Sequence, residues 1–224
     1  MVKIAVSGSN GKMGARIIEL AKEDADLEVS GAFDVDGDAQ NAIKGCDCLV
    51  EFTSPKATIE HLAICAKFKQ AMVIGTTGLS EDDKKKIKEA SANIPVVLSP
   101  NMSAGVNILF KLVEDASKAL GGEYEISILE AHHAEKKDAP SGTAKELERI
   151  VKAALPDSDV AVSSVREGEI VGEHTITFES DLDLIEITHS AKTRDIFAHG
   201  ALLAAKFVAG KKSGMFTMKD VLGL

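Results

Sequence analysis

The chain has 224 residues, 45% of them hydrophobic, with no Trp, one Tyr and a formal net charge of −9. That length suits one large or two small domains, with a core of Ala, Val, Ile and Leu as in α/β proteins. The acidic balance and the absence of a long basic run argue against a nucleic-acid partner, and no stretch reads as a signal peptide or a membrane span. A cytoplasmic protein with no membrane partner is therefore expected.

Residues 2–7 (Val-Lys-Ile-Ala-Val-Ser) read as a short apolar strand, and residues 15–23 as a helix with Ile17, Ile18, Leu20 and Ala21 on its buried side. Between them lie Gly8, Ser9, Asn10, Gly11, Lys12, Met13 and Gly14, a G-x-x-G-x-x-G turn. Glycines there let a pyrophosphate approach the backbone, and the helix N-terminus attracts its charge. A tight strand–helix turn also favours glycine, so the spacing alone is weak. The supporting residue is Asp34, which ends a second strand at 27–33. A carboxylate there can accept hydrogen bonds from ribose hydroxyls and repel a 2′-phosphate. Val35 follows in place of Arg or Lys, so NADH is expected over NADPH, with Lys12 and Lys44 as partial compensation.

The alternation continues with a strand at 47–52, a helix at 56–67, a strand at 71–74, a charged helix at 81–92 and a strand at 95–98. This pattern predicts a doubly wound parallel sheet, whose ligands sit at the carboxyl ends of the strands. Thr53-Ser54-Pro55, Gly75-Thr76-Thr77 and Ser99-Pro100-Asn101-Met102 fall at those ends. Cys46, Cys48 and Cys65 are odd in number and face no second Cys/His cluster, so packing in a reducing setting is expected and no metal site is.

The second half opens on a long helix at 107–120 and a strand at 124–131, with a helix at 144–154 further on. Alternating runs at 175–178 and 184–188 suggest an antiparallel or mixed sheet with one solvated or interface face. An apolar helix at 196–209 and a docking segment at 214–224 end the chain. The fold expected is α/β, a Rossmann-type sheet over 1–103 plus 195–224, with an inserted α+β substrate and oligomerisation domain over 104–194.

The densest chemistry lies at 130–143, Glu-Ala-His-His-Ala-Glu-Lys-Lys-Asp-Ala-Pro-Ser-Gly-Thr. Taken singly, the histidines, Lys136–Lys137 and the Pro-Ser-Gly-Thr turn are ordinary surface and helix-start features. Together they supply proton carriers, fixed positive charge and backbone N–H groups, which suits an anionic substrate whose reaction needs a proton.

These residues, together with Gly75-Thr76-Thr77-Gly78, residues 101–107 (Asn-Met-Ser-Ala-Gly-Val-Asn), Gly172-Glu173-His174-Thr175 and residues 184–189 (Leu-Ile-Glu-Ile-Thr-His), resemble the 4-hydroxy-tetrahydrodipicolinate (dihydrodipicolinate) reductase family nearly end to end. The resemblance implies hydride transfer from a nicotinamide to C4 of a cyclic unsaturated dicarboxylate, with loss of water, in the diaminopimelate route to lysine. It implies His132 as proton donor and acceptor and Lys136 as a second donor. His133, Gly142 and Thr143 would hold the substrate carboxylates. Gly8 to Met13, Asp34, Gly75 to Thr77 and Ser99 to Met102 would hold the cofactor. It also implies a homotetramer formed through the second domain's sheet. Against the family pattern the chain looks shortened after Asp34 and before Arg166. Another two-domain dehydrogenase, or a non-catalytic nucleotide-sensing module, would keep the glycine turn but would not need the His-His-x-x-Lys and Ser-Gly-Thr pairing.

Overall fold

Six short strands make the first unit of the computed structural model, which describes residues 1–224. That unit is Met1–Ala104 with Asp195–Leu224, and Gly105–Arg194 form a second. In the first, β1 (Val2–Ser7), α1 (Lys12–Glu23), β2 (Leu27–Phe33), α2 (Ala39–Lys44), β3 (Cys48–Glu51), α3 (Pro55–Phe68), β4 (Ala71–Ile74), α4 (Glu81–Ser91) and β5 (Pro95–Leu98) alternate along the chain. All pairings are parallel and the order is β2-β1-β3-β4-β5, extended by a last strand at Gly214–Phe216.

Every residue of β3 and β4 is buried, because helices cover both faces of the sheet. Period-two alternation sends Ile4, Val6, Val50 and Val73 to one face and Ala5, Leu49, Met72 and Ile74 to the other. α1 and a later helix, Asp195–Ala209, pack on the first face; α2, α3 and α4 pack on the second. The three thiols, Cys46, Cys48 and Cys65, are buried and free, and burial pushes Cys46 up to about 11.

The helices start where their caps allow. Ser54 accepts from Ala57 N at 3.4 Å with Pro55 at the first helical position, and Ser80 with Asp83 forms a capping box. α1 begins at Lys12, three residues before the expected start, because Gly14 can lie against the Gly8 carbonyl, where a Cβ would collide.

In the second unit α5 (Ala104–Leu120) and α6 (Gly142–Ala154) cover one face of a four-stranded sheet. Its strands are β6 (Glu125–His132), β7 (Val160–Arg166), β8 (Glu173–Glu179) and β9 (Leu184–Ser190), ordered β7-β6-β8-β9. β6 pairs parallel with β7 and antiparallel with β8, so the sheet is mixed. Ile126, Ile128, Ile176 and Phe178 point inward against Val106, Phe110, Val113, Leu147 and Val151. On the outer face Leu129, Val165 and Leu184 are 48%, 36% and 54% exposed.

α7 (Asp195–Ala209), β10 (Gly214–Phe216) and α8 (Met218–Leu222) complete the first unit. Four elements were not expected: α2, β7, β10 and α8, the last two inside the segment read only as docking. α2 is a single short helix capped by Asp38, which accepts from Asn41 N at 3.0 Å. β7 and β10 lie at sheet edges, and their sequences, rich in serine or only three residues long, carry little apolar signal of their own.

Candidate active site

Strand order in the first unit reverses between β1 and β3, the position where such sheets open a crevice at their carboxyl ends. Gly8 follows β1 with φ +65°, and a Cβ on it would stand 2.9 Å from Thr53 Cγ2. The backbone there is bare and the N-terminus of α1 follows at Lys12, which fits the phosphates of a dinucleotide. Beside this loop lies a cavity of about 490 Å³ lined by Gly8, Asp34, Val35, Thr53, Glu60 and His61 among others.

Asp34 does two jobs. Its Oδ2 accepts from Asn10 N at 3.1 Å and its Oδ1 from Val35 N at 2.9 Å, so it braces the glycine loop while facing the cavity. Below the loop Glu51 is fully buried, accepting from Ser7 Oγ at 2.6 Å, pairing with His61 Nδ1 at 2.7 Å and bonding Thr53 Oγ1.

Among the other expected cofactor contacts, Ser9 donates its backbone N–H to Phe33 O at 3.1 Å, and Asn10, Gly11 and Lys12 are exposed. Thr76 Oγ1 accepts from Thr53 N at 3.2 Å and meets Thr58 Oγ1 at 2.9 Å, tying the turn after β4 to the loop after β3. Gly75 backs onto the Phe52 ring, which a Cβ would strike, and Thr77 is exposed. After β5, Ser99 Oγ donates to Asn101 O at 2.8 Å and Pro100 is exposed. Met102 differs from the expectation as a side chain: it is buried in the core, so only its backbone is open to a ligand. Neither Lys12 nor Lys44 lines the cavity.

The second unit holds the histidine-bearing segment 130–143. Along β6 the inward positions run Ile126, Ile128, Glu130, His132, so the buried face turns from apolar to polar at the strand's end. Pairing brings His174 opposite Glu130, and Arg166 opposite His132. Glu130 is fully buried. Its Oε1 accepts from Arg166 Nη2 at 2.7 Å and from Ser141 N at 3.2 Å. Its Oε2 meets His132 Nδ1 at 2.5 Å and Arg166 Nη1 at 3.0 Å. Burial pushes this carboxyl up, but the hydrogen bonds from Arg166, Ser164 and His132 outweigh it and hold the group down at about 2.

His132 is 8% exposed, and burial lowers its pKa against the opposing pull of Glu130, with the charges of Lys136 and Arg166 acting in the same direction as burial. The ring of His174 packs edge-on against it at 5.1 Å. Burial pushes His174 down to about 4, and its Nε2 lies 3.0 Å from Ser141 Oγ. That oxygen also caps α6, accepting from Ala144 N at 3.2 Å. Gly142 and Thr143 open the helix behind the cap. His133 Nε2 stands 3.4 Å from Arg194 Nη2, and Lys136 Nζ pairs with both oxygens of Asp138 at 2.8 and 2.9 Å.

Glu130, His132 and His174 offer ligand atoms within 4.8 Å of one another. A cation would have to compete with the Arg166 guanidinium for both Glu130 oxygens.

The buried neutral His174 has a consequence for stability. The unfolded chain takes up this proton near 6.5 and the folded chain only near 4. Folding stability therefore falls as pH drops across that window and levels off below it. In urea unfolding at stepped pH, the stability advantage of wild type over His174→Gln should narrow between pH 6.5 and 4. A constant difference would show that His174 titrates alike in both states.

Four members of this cluster were absent from the sequence-based candidates: Glu130, Arg166, Ser141 and His174. Glu130 had a readable signal, a charge in the apolar phase of a strand. His174 lay in the family-like Gly172-Glu173-His174-Thr175 run without an assigned role, and Arg166 had no signal, because only the register of β7 and β8 brings them to β6.

A Rossmann-type unit with a glycine cradle, in one chain with a buried histidine–carboxylate pair, is the make-up of a nicotinamide-dependent oxidoreductase. Residues 2–102 match the family model described as dihydrodipicolinate reductase, N-terminus, and residues 105–222 the one described as dihydrodipicolinate reductase, C-terminus. The chain belongs to the dihydrodipicolinate reductase family. It is 39% identical over 266 aligned positions to the 4-hydroxy-tetrahydrodipicolinate reductase of Geotalea daltonii, covering 100% of both chains. To the same-named protein of Dechloromonas aromatica it is 41% identical over 263 positions, covering 99% of this chain and 98% of the relative. The 266 aligned positions exceed the chain's 224 residues, so the alignment opens gaps on this chain's side. Among solved structures, the dipicolinate-bound dihydrodipicolinate reductase of Paenisporosarcina superposes with a TM-score of 0.86 at 20% identity, covering 98% of this chain and 99% of that one. The diaminopimelate dehydrogenase of C. glutamicum shares the fold more loosely, at a TM-score of 0.61 and 13% identity over 97% and 92% of the two chains.

Proposed function

We propose that this chain reduces 4-hydroxy-tetrahydrodipicolinate to tetrahydrodipicolinate with loss of water, using NAD(P)H, in lysine biosynthesis. The observation that carries the reading is His132, buried against the ionised Glu130–Arg166 pair at the end of β6 and next to the α6 start, in a chain of this family. A bound nicotinamide supplies the hydride. Loss of the C4 hydroxyl with a C5 proton, as water, leaves a conjugated imine; hydride addition at C4 would leave the ring as an aza-enolate, and a proton delivered to its C5 restores the C=N bond. His132 is the donor, poised by opposing shifts of its pKa. Lys136 keeps one N–H beyond its two Asp138 contacts and is the second donor. His133, Gly142 and Thr143 hold the carboxylates, with Arg194 adding charge next to His133. The rival readings, a different dehydrogenase or a nucleotide sensor, have no use for the buried Glu130–His132 pair.

The cofactor is held by Gly8, Ser9, Asn10, Gly11, Lys12, Met13 and Asp34, with Gly75, Thr76, Thr77, Ser99, Pro100, Asn101 and the Met102 backbone as further contacts. NADH is preferred. The charged groups lining the adenosine-side cavity, apart from His61, are the carboxylates of Asp34 and Glu60, which repel a 2′-phosphate, and Val35 at its rim offers no cation. The outer face of the second unit's sheet, with Leu129, Val165 and Leu184 exposed among Ser and Thr residues, supports a homotetramer. A cytoplasmic setting fits three buried free thiols, and no helix is long and apolar enough to cross a membrane.

The test is a coupled assay in which the upstream synthase makes the cyclic substrate from pyruvate and aspartate semialdehyde, with NADH and NADPH oxidation followed separately. Synthase-dependent oxidation is expected, faster with NADH. Val35→Arg should shift the ratio toward NADPH by about 10-fold or more, the worth of one charge-assisted contact to phosphate. Oxidation that ignores the synthase would sink the assignment, and an unmoved ratio would sink the cofactor argument.

A further inference from the structure

We infer that Glu130 is a positioning residue that locks His132 as the Nδ1–H tautomer, making Nε2 the atom that carries the proton, and that Gly172 keeps that atom uncovered. The inference rests on the reading of His132 as proton donor and adds which atom acts and what selects it.

The geometry starts from β6, whose period of two puts Glu130 and His132 on one face with a single residue between them. Besides His132, the donors converging on the Glu130 carboxylate are both Nη atoms of Arg166, at 2.7 and 3.0 Å, Ser141 N at 3.2 Å and the Ser164 hydroxyl. Arg166 is anchored in turn by the carbonyls of Val165 and Asp138, each at 2.6 Å from its Nη atoms. A carboxylate ionised in this way only accepts, so the 2.5 Å contact requires a proton on His132 Nδ1. In the neutral ring, Nε2 is then bare.

The opposite edge of the ring meets Gly172. A Cβ built there would stand 3.0 Å from His132 Nε2 and 3.3 Å from Cδ2, so a side chain at 172 would lie on the working nitrogen. His174, the remaining neighbour of the ring, has its Nε2 on Ser141 Oγ and does not compete for His132. The charged and titratable groups around His132 are thus Glu130 on its own strand, Arg166 from β7, His174 from β8 and Lys136 from the loop that follows.

In the step this serves, His132 is doubly protonated. Its Nε2–H bond breaks and the electron pair stays on Nε2. The proton takes up the aza-enolate pair at carbon, forming C–H as C=N is restored. Nδ1–H remains on Glu130 throughout, and solvent returns a proton to Nε2. Without Glu130 the neutral ring is free to place its proton on Nε2 and turn its lone pair toward the protein interior.

Ring-nitrogen NMR of the histidines, read on wild type, Glu130→Gln and Gly172→Ala without cofactor, is the direct test. It is accompanied by pH profiles of kcat in the coupled assay. Wild-type His132 should appear as the Nδ1–H form. Glu130→Gln should populate Nε2–H, move the kcat profile along pH and lower kcat at least about 10-fold, up to the loss seen when a catalytic histidine takes the wrong tautomer. Gly172→Ala should keep the Nδ1–H signature yet lose kcat. A wild-type ring protonated at Nε2, whether or not the variants fold, would overturn the inference, as would an unmoved tautomer and pH profile in folded Glu130→Gln. His132→Gln separates the two levels: full turnover there would remove the histidine's role itself, whatever the tautomer result.

Discussion

His132→Gln is expected to lower turnover by about 10²- to 10⁴-fold while NADH binding changes little. Glutamine can fill the space beside Glu130 and accept or donate a hydrogen bond, but it cannot release a proton near neutrality. The loss therefore reports the proton-transfer step and not the fold. The cofactor cradle belongs to the other unit, at Gly8, Asp34 and the start of α1, so its affinity has no reason to follow. The measurement pairs kcat in the coupled assay with NADH affinity from nicotinamide fluorescence. Turnover that survives would dismiss His132 as donor and shift attention to Lys136. A parallel loss of NADH affinity would mean the substitution disturbs more than the proton.

Phe178→Ala is expected to cost about 3–5 kcal/mol, the range for truncating a fully buried phenylalanine. Phe178 is 0% exposed and sits inward on β8, opposite Ile126 of β6 and Ile185 of β9. Its core neighbours, Ile126, Phe110, Val113 and Leu147, are held on paired strands and packed helices, so they can close only part of the space. β8 also carries His174, four residues before Phe178, so loosening it should disturb the Ser141–His174 contact and lower activity before the unit unfolds. Urea unfolding should show the drop, with the first unit's transition less affected. A cost below about 1 kcal/mol would mean that the second unit's core repacks around the loss.

Much of the fold was legible because its signals are local. β1, β2, β4 and β5 occupy the expected ranges, since short runs such as Ala71–Ile74 have no reading other than a buried strand when helical periods flank them. Most helix starts moved by one to three residues because caps decide them, while α4 begins at Glu81 as expected. Ser141 caps α6 from Gly142 onward, and Gly14 lets α1 begin at Lys12. α2, β7 and β10 were illegible: six residues, a serine-bearing edge and a three-residue edge do not carry a periodic pattern.

The candidate site divides in the same way. Residue types in 130–143 announce an acid–base site for an anion, because histidines, lysines and a Ser-Gly turn act through groups any reader can name. The Gly8–Gly14 turn with Asp34 announces a dinucleotide for the same reason. What those residues do to one another depends on register, a tertiary quantity. Pairing β6 with β7 and β8 brings Arg166 and His174, 36 and 44 residues beyond Glu130, to within reach of one carboxylate. A charge buried that deeply is tolerated only when donors converge on it, and donors converge only when strands pair. The sequence by itself determined the fold class and the cofactor class, and it singled out His132 as the candidate proton carrier. The tertiary structure alone decided which nitrogen of His132 faces the carboxylate, which glycine leaves the other one open, and which face of the second sheet is left uncovered.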